Sequence, residues 1–177
     1  MGDYNKSLSY FDNHNVINYR NSNLQSVEND MILTAYCKFA ISNGGGYAIV
    51  PRLFNKPTFV VNFAYFLFYH FDNYVFYPKI IFNKSKKRKL FLNEILNSPI
   101  FFEMGNEEFI KNNLISRDIS EIDFLNAIKS FIKNLNKKKP INNSLEKLEL
   151  KNIINPMHLN FNLGYKCLSD IYIKKNL

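Results

Sequence analysis

The sequence predicts an α/β fold in which a parallel sheet carries helices on both faces. Strand-like and helical segments alternate along residues 16–63 in the order strand, helix, strand, loop, helix, strand. The last strand, residues 58–63, is apolar almost throughout, as expected of a strand covered on both faces. Three consecutive glycines follow the second strand. These observations together predict a doubly wound, Rossmann-like half with parallel strands and right-handed crossovers.

The first strand and helix are predicted within residues 16–36. Residues 16–19 form a short apolar segment that ends in polar residues, which predicts a strand. Ser26 then stands at an expected helix N-cap, with Asn29 where a capping box carries Glu or Gln. Apolar side chains recur at helical spacing on one face and predict a helix that ends near residue 36: Val27, Met31, Ile32 and Ala35.

The second half of the pattern surrounds a glycine loop. Residues 37–42 predict a buried strand, and Asn43 with the three glycines 44–46 ends it. A helix is predicted over residues 46–54. Because Pro51 is tolerated only in a first turn, the alternative is a helix that begins there. Asn-Lys-Pro at residues 55–57 ends this helix before the third strand.

Beyond residue 63 the predicted elements are mostly helical. A basic loop at residues 84–89 precedes short helices over 91–96, which contains Glu94, and 107–112. Ser120 caps a longer helix that ends near residue 136 and carries four apolar side chains on one face: Phe124, Ile128, Phe131 and Ile132.

A polar helix over residues 142–154 and a final segment over 163–177 complete the predicted organisation. We therefore expect a Rossmann-like domain over residues 1–135 and a helical C-terminal extension over residues 136–177.

Composition excludes several classes of protein. The 177 residues are 46% hydrophobic, which indicates a globular domain rather than a disordered chain. The formal charge is +8, but Lys outnumbers Arg 19 to 4 and Asn occurs 27 times. This bias is typical of an A+T-rich genome, so a nucleic-acid partner is not expected from charge alone. Two cysteines, Cys37 and Cys167, exclude a disulfide scaffold and predict a reducing, cytoplasmic compartment.

Membrane signals are weak in this sequence. The first ten residues are polar and lack the apolar core of a signal peptide. The longest clean apolar run, residues 63–69, is far shorter than the roughly 20 residues that cross a bilayer. This run and the basic cluster at residues 84–89 could together contact a membrane surface. The alternative is that the run forms a buried strand and loop.

The glycine loop is the strongest candidate site. A strand that delivers Ser42, Asn43, Gly44, Gly45 and Gly46 to the start of a helix directs successive backbone N–H groups at one point. Such a loop fits a diphosphate or a carboxylate. It matches neither the dinucleotide fingerprint nor the Walker A loop, which argues against an NAD enzyme and an NTPase. The alternative is a tight turn that requires glycine.

Other catalytic arrangements are sparse. His14, His70 and His158 lack metal-ligand spacing, so neither a metal nor any other cofactor is expected. His70 follows the third predicted strand and is a candidate base, or an ordinary loop residue. Cys37 is expected to be buried and inert, and Cys167 has no activating neighbour. Three carboxylates are expected near the glycine loop: Glu28, Asp30 and Asp72. Asp30 lies on the first predicted helix and can point towards the site or away from it.

Three stretches resemble a known family: residues 29–46, residues 50–57 and residues 60–63, which read Val-Val-Asn-Phe. They are similar to the donor-binding half of a bacterial family of GT-B-type glycosyltransferases found with surface-polysaccharide genes. The flanking segments are similar as well: residues 1–2, 16–19, 78–79 and 90–96. The resemblance covers residues 1 to about 135, and more weakly residues 163–177.

The resemblance implies metal-independent transfer of a sugar from a nucleotide-sugar donor, in the cytoplasm or at the inner face of the membrane. It places the donor phosphates at Ser42 and at residues 43–46. It also implies that Asn62 and His70 line the cleft. Arg52 is expected to line the cleft too, and Arg52 or Lys56 is expected to help offset the charge of the leaving nucleoside diphosphate. The ribose-binding Glu of many GT-B enzymes is missing, because residues 47–52 contain no carboxylate.

The resemblance also matches only one of the two halves of a GT-B enzyme. The leading hypothesis is therefore a donor-binding half that needs a partner chain with the acceptor-binding half. A second hypothesis is a non-catalytic, partner-dependent subunit or a fragment. A third is a basic module that binds nucleic acid or a membrane surface through the lysine clusters at residues 84–89 and 137–139.

Overall fold

A three-stranded parallel sheet forms the centre of the fold. The computed structural model describes residues 16–63, 74–96, 106–136 and 175. The strands β1 (Ala40–Ser42), β2 (Thr58–Phe63) and β3 (Tyr74–Pro78) lie in that order, and both pairs are parallel. Ala40 pairs with Thr58, and Thr58 pairs with Tyr74. The predicted α/β class, with a parallel sheet and helices, is confirmed.

The predicted first strand is wrong. Residues 16–18 are irregular, and a 3-10 helix follows over Tyr19–Asn21. The Tyr19 hydroxyl donates to the Ser26 carbonyl at 3.2 Å and accepts from the Ser26 N–H at 3.1 Å, which ties this segment to the helix start. Ile17 is 74% exposed. The third strand is instead β3, in which every residue is buried.

The predicted helix after Ser26 is confirmed. Helix α1 spans Val27–Tyr36, and the Ser26 side chain accepts from the Asn29 N–H at 3.1 Å. The large apolar residues that predicted it are nevertheless exposed, with Val27 at 71% and Ile32 at 52%. The strand predicted over residues 37–42 begins only at Ala40, because Cys37 is the C-cap of α1.

Helical segments cover both faces of the sheet. A 3-10 helix (Gly46–Ile49) and the short helix α2 (Val50–Leu53) lie against one face, where the Tyr74 hydroxyl donates to the Ala48 carbonyl at 2.5 Å. Helix α5 (Glu121–Asn136) lies against the other face. The Phe59 ring is 5.5 Å from the Phe131 ring and 6.5 Å from the Phe124 ring, measured between centroids.

The start and the apolar face of α5 agree with the prediction from sequence. The Asp123 N–H donates to the Ser120 hydroxyl at 3.2 Å, as the predicted cap requires. The predicted apolar face packs on the core, with Phe131 buried and the other members partly buried: Phe124, Ile128 and Ile132.

A second, antiparallel sheet was not predicted. Its order is β5 (Arg88–Lys89), β4 (Ile80–Asn83) and β6 (Leu114–Arg117). The basic loop predicted over residues 84–89 is the turn between β4 and β5 together with β5 itself. Helices α3 (Leu92–Leu96) and α4 (Asn106–Lys111) confirm the two short helices predicted there.

The C-terminal extension lies outside the described residues, apart from Asn136 and Lys175. This includes the helix predicted over residues 142–154. Lys175 contacts the body of the fold at two places: its ammonium group donates to Asp123, and its carbonyl accepts from Lys89. Within the part of the chain that the structure describes, no helix has the length and apolar character needed to cross a membrane.

Candidate functional site

The glycine loop follows β1 at the carboxyl end of the parallel sheet. The Ser42 hydroxyl accepts from the Gly44 N–H at 3.2 Å, so this side chain fixes the loop conformation. Gly44 has a φ of +82°, and a Cβ at this position would lie 2.1 Å from Cδ2 of Phe63. Gly44 is therefore required by the backbone conformation and by close packing against β2. The loop has the tight-turn role that the sequence left as an alternative.

Gly45 and Gly46 are different, because the fold does not require glycine there. Gly45 has a φ of −66°. A Cβ at this position would be in ordinary contact with Oδ1 of Asn43, at 3.7 Å. A Cβ on Gly46 meets nothing within 4 Å. Both residues are exposed, and among the hydrogen bonds of the described residues none is donated by their backbone N–H groups. Two backbone donors on exposed residues thus lie beside the sheet edge.

A cavity of about 220 Å³ adjoins the glycine loop. It lies between the 3-10 helix and one face of the sheet, and its walls are mainly carbon. Residues 44–46 form its rim, and six side chains form its walls: Ala48, Ile49, Val60, Phe63, Tyr74 and Phe76. We call it the glycine-loop cavity. Its aromatic lining suits a flat, weakly polar group, and its rim suits an anion.

Tyr74 connects this cavity to the helical cover. Burial raises the pKa of its hydroxyl, while hydrogen bonds with Thr58 and with the Arg52 backbone lower it. The hydroxyl therefore stays protonated and holds Ala48 in place at neutral pH. Tyr74 acts as a support for the 3-10 helix and not as an acid or base.

Of the other residues predicted for the cleft, Asn62 and Arg52 lie away from the glycine-loop cavity. Asn62 has a φ of +54°, and its Oδ1 accepts from the Ile119 N–H at 2.9 Å. It sits at a register shift in β2 and does not line the glycine-loop cavity. Arg52 is exposed on α2 and does not line that cavity either. His70, together with His14, His158 and Cys167, lies outside the described residues.

The basic cluster at residues 84–89 is partly neutralised. Arg88 binds the Glu94 carboxylate with two hydrogen bonds of 2.7 Å, and the Lys86 ammonium lies 3.5 Å from the same group. The Arg88 hydrogen bonds hold the Glu94 pKa at about 2, well below its usual range. The Phe91 N–H also donates to Glu94, which stabilises the start of α3. Glu94 thus has a structural role.

A second cavity lies on the other side of the 3-10 helix. Its volume is about 320 Å³, and it is bounded by α1, the 3-10 helix and β1. Tyr19, Asp30 and Tyr47 are among its polar lining residues, together with Thr34 and Ser42. We call it the Asp30 cavity. The sequence identified Asp30 as a nearby carboxylate but carried no signal that Tyr19 and Tyr47 meet it, because these residues belong to three separate elements.

No metal centre emerges from the described residues. Within residues 16–63, 74–96 and 106–136, with residue 175, no three His, Cys, Asp or Glu side chains are grouped as metal ligands. Cys37 is a half-buried free thiol whose sulfur donates to the Thr34 carbonyl at 3.2 Å. The two cavities are therefore the features from which a function can be argued.

Comparison with known proteins assigns this chain to no family. No protein-family model matches its sequence, no curated protein matches it, and no solved structure matches its fold. A function must therefore be argued from the geometry of the chain's own residues.

Proposed function

We propose that this chain is the donor-binding half of a GT-B-type glycosyltransferase, which transfers a sugar from a nucleotide-sugar donor in surface-polysaccharide biosynthesis. The observation that carries the proposal is the junction of two complementary surfaces at residues 44–46. Gly45 and Gly46 are exposed, and the same loop borders an aromatic cavity. A nucleotide-sugar combines the same two characters, an anionic diphosphate and a flat base.

The position of the loop supports this proposal. In open α/β sheets, ligands bind beyond the carboxyl ends of parallel strands. The glycine loop follows Ser42, the last residue of β1, and packs against Phe63, the last residue of β2. A ligand at Gly45 and Gly46 would therefore occupy the edge that this fold class uses for binding.

The proposed mechanism is electrostatic. Transfer of the sugar leaves negative charge on the departing nucleoside diphosphate, and fixed backbone donors stabilise such charge without reorganising. The Gly45 and Gly46 N–H groups would supply these donors. The acceptor-binding half, with its catalytic base, is proposed to come from a partner chain, and the described residues assign no base.

Ligand-observed NMR with UDP, GDP, CMP and their sugar conjugates tests the proposal. The informative variant is Gly45→Asp, because the site accepts a Cβ and the new carboxylate would repel a diphosphate. Gly45→Asn is the matched control, since it has the same shape without the charge. We expect one nucleotide class to bind, the Asp variant to lose it, and the Asn variant to bind more tightly than Asp. Equal binding to both variants contradicts a phosphate site at this loop.

A second candidate is a non-catalytic subunit that requires a partner. The observation that favours it is the apolar surface of α1, where five large side chains are more than a third exposed: Val27, Met31, Ile32, Leu33 and Tyr36. Ile41 on the edge strand β1 is exposed too. A group of exposed large apolar side chains on one helix favours an interaction site.

Both candidates involve a partner chain, so nucleotide binding separates them, and size-exclusion chromatography with light scattering tests whether the apolar surface drives association. A subunit that needs a partner is expected to self-associate or aggregate alone, and the double variant Ile32→Lys with Tyr36→Lys should restore a monomer. A well-behaved wild-type monomer that binds a nucleotide favours the donor-binding role instead.

A further inference from the structure

The Asp30 cavity is a separate chamber from the glycine-loop cavity. The 3-10 helix divides the two, with Ala48 lining both and Tyr47 lining only the Asp30 cavity. Its volume of about 320 Å³ is at the lower end of the range for small-molecule sites. The two cavities can thus bind different ligands, although Ser42 of the glycine loop also lines the Asp30 cavity.

The charge of the lining selects the class of ligand. Asp30 is the one charged side chain among the described residues that line this cavity, and no Lys or Arg is among them. The other lining residues are apolar or aromatic, such as Leu33 and Phe39, or neutral and polar, such as Thr34 and Ser42. An anion would be repelled by the Asp30 carboxylate, whereas a cation would be attracted to it.

Hydrogen bonds to α1 already occupy the two phenol groups. The Tyr47 hydroxyl donates to the Asp30 carbonyl at 2.9 Å and lies 2.8 Å from the Thr34 hydroxyl. The Tyr19 hydroxyl bonds to the Ser26 backbone. Both hydroxyl groups are therefore bonded to α1 or to its N-cap, and both tyrosines line the cavity.

Asp30 is held in position by its own helix. Its carbonyl accepts from Thr34 at 2.8 Å as well as from Tyr47, and its N–H donates to the Ser26 carbonyl at 2.9 Å. Its carboxylate also interacts with the Tyr19 hydroxyl. A half-buried carboxylate on a fixed backbone, between aromatic walls, is the arrangement that recognises ammonium groups.

We infer that the Asp30 cavity binds a small organic cation, with its ammonium group at the Asp30 carboxylate and its carbon groups against the aromatic and apolar walls. Choline and butylammonium are suitable probes, because each combines one positive charge with a compact carbon body. A neutral carbon analogue of choline, 3,3-dimethylbutan-1-ol, has the same shape without the charge. The comparison between these probes isolates recognition of the charge.

The experiment is a titration of the full chain, monitored by NMR chemical shifts of the backbone amides. We expect both cations to perturb amides of α1 and of the 3-10 helix, and the neutral alcohol to bind at least about tenfold more weakly. Asp30→Asn should weaken cation binding by about tenfold, because it keeps the shape and the backbone bonds but removes the charge. Asp118→Asn is the matched control, since Asp118 is an exposed carboxylate paired with Lys79 in a different part of the fold.

Three results would overturn the inference. The first is that neither cation binds a folded wild-type chain. The second is that the neutral alcohol binds as tightly as choline, which would reduce the cavity to an apolar pocket. The third is that Asp30→Asn and Asp118→Asn weaken binding equally, which would indicate a diffuse charge effect. The proposed donor site is tested separately, by nucleotide binding to the Gly45 variants. A failure of the cation titration therefore does not contradict the donor site.

Discussion

The Phe63 ring lies so close to Gly44 that no other residue fits at this position without a shift. A Cβ on Gly44 would stand 2.1 Å from Cδ2 and 2.7 Å from Cε2 of the ring. Phe63 ends β2, and Gly44 lies just beyond the end of β1, so this contact joins the two strands at their carboxyl ends. It fixes the position of the glycine loop relative to β2.

The first prediction concerns Gly44. Gly44→Ala should lower the free energy of unfolding by about 2 kcal/mol or more, because it combines a positive φ with a clash against an aromatic ring. Gly46→Ala is the matched control and should be neutral or slightly stabilising, since a Cβ there meets nothing within 4 Å. Urea denaturation of both variants measures the difference. Similar losses in the two variants would contradict the close contact between Gly44 and Phe63.

The second prediction concerns Asn62, whose side chain reaches a residue 57 positions away. Asn62→Ala should destabilise the fold by about 1–3 kcal/mol, because the Ile119 N–H loses its acceptor and Ala tolerates a positive φ poorly. Asn62→Asp keeps an acceptor oxygen and should lose less. Thermal unfolding compares the two. If Asn62→Asp instead leaves stability intact but abolishes nucleotide binding, Asn62 belongs to the ligand site after all.

The third prediction is a dependence of stability on acid. The pKa of Glu94 is about 2 in the folded chain and near 4.5 when unperturbed. A carboxyl group with a lowered folded pKa stabilises the fold above its unperturbed value, and this stabilisation is lost as the pH falls from 4.5 towards 2. The unfolding midpoint should fall over this window, and Glu94→Gln should show a smaller fall. A profile of the Gln variant that parallels the wild type would remove Glu94 as the cause.

The fourth prediction is a dependence of stability on alkali. Tyr77 is fully buried, and burial, together with Asp123, raises its pKa from 10.0 to about 12. A group with a raised folded pKa stabilises the fold below its unperturbed value, and this stabilisation is lost as the pH rises from 10 to about 12. Tyr77→Phe should therefore flatten the stability profile in this range. Because the chain has 11 tyrosines, the phenolate absorbance of the wild type is compared with that of Tyr77→Phe. The difference between them should appear late in the titration, and an early difference would show that Tyr77 is accessible.

Several elements follow from local sequence alone. Ser26 and Ser120 cap their helices as predicted, because a hydroxyl side chain satisfies an N–H group three residues ahead whatever surrounds it. The strand over residues 58–63 is also local, since β-branched and aromatic residues favour extended backbone. These features explain why the α/β class and the position of the glycine loop could be predicted.

The third strand shows where local signals fail. Residues 16–19 and 74–78 are both short and apolar, but only the second is buried and joins the sheet. Propensity does not distinguish them, because strand formation depends on neighbours that supply hydrogen bonds and burial. Tyr19 instead bonds to Ser26, and its segment remains outside the sheet.

Local sequence is enough to predict the helix caps, the buried strand β2 and the glycine loop after β1. The role of those glycines, and the side chains that meet around them, depend on tertiary packing. It placed Phe63 against Gly44, Asn62 on Ile119, and Asp30 between two tyrosines. The physical reason is the distance along the chain over which each interaction acts. A cap or a strand preference acts over a few residues, whereas a cavity is made by chain segments that only the packing of the whole core brings together.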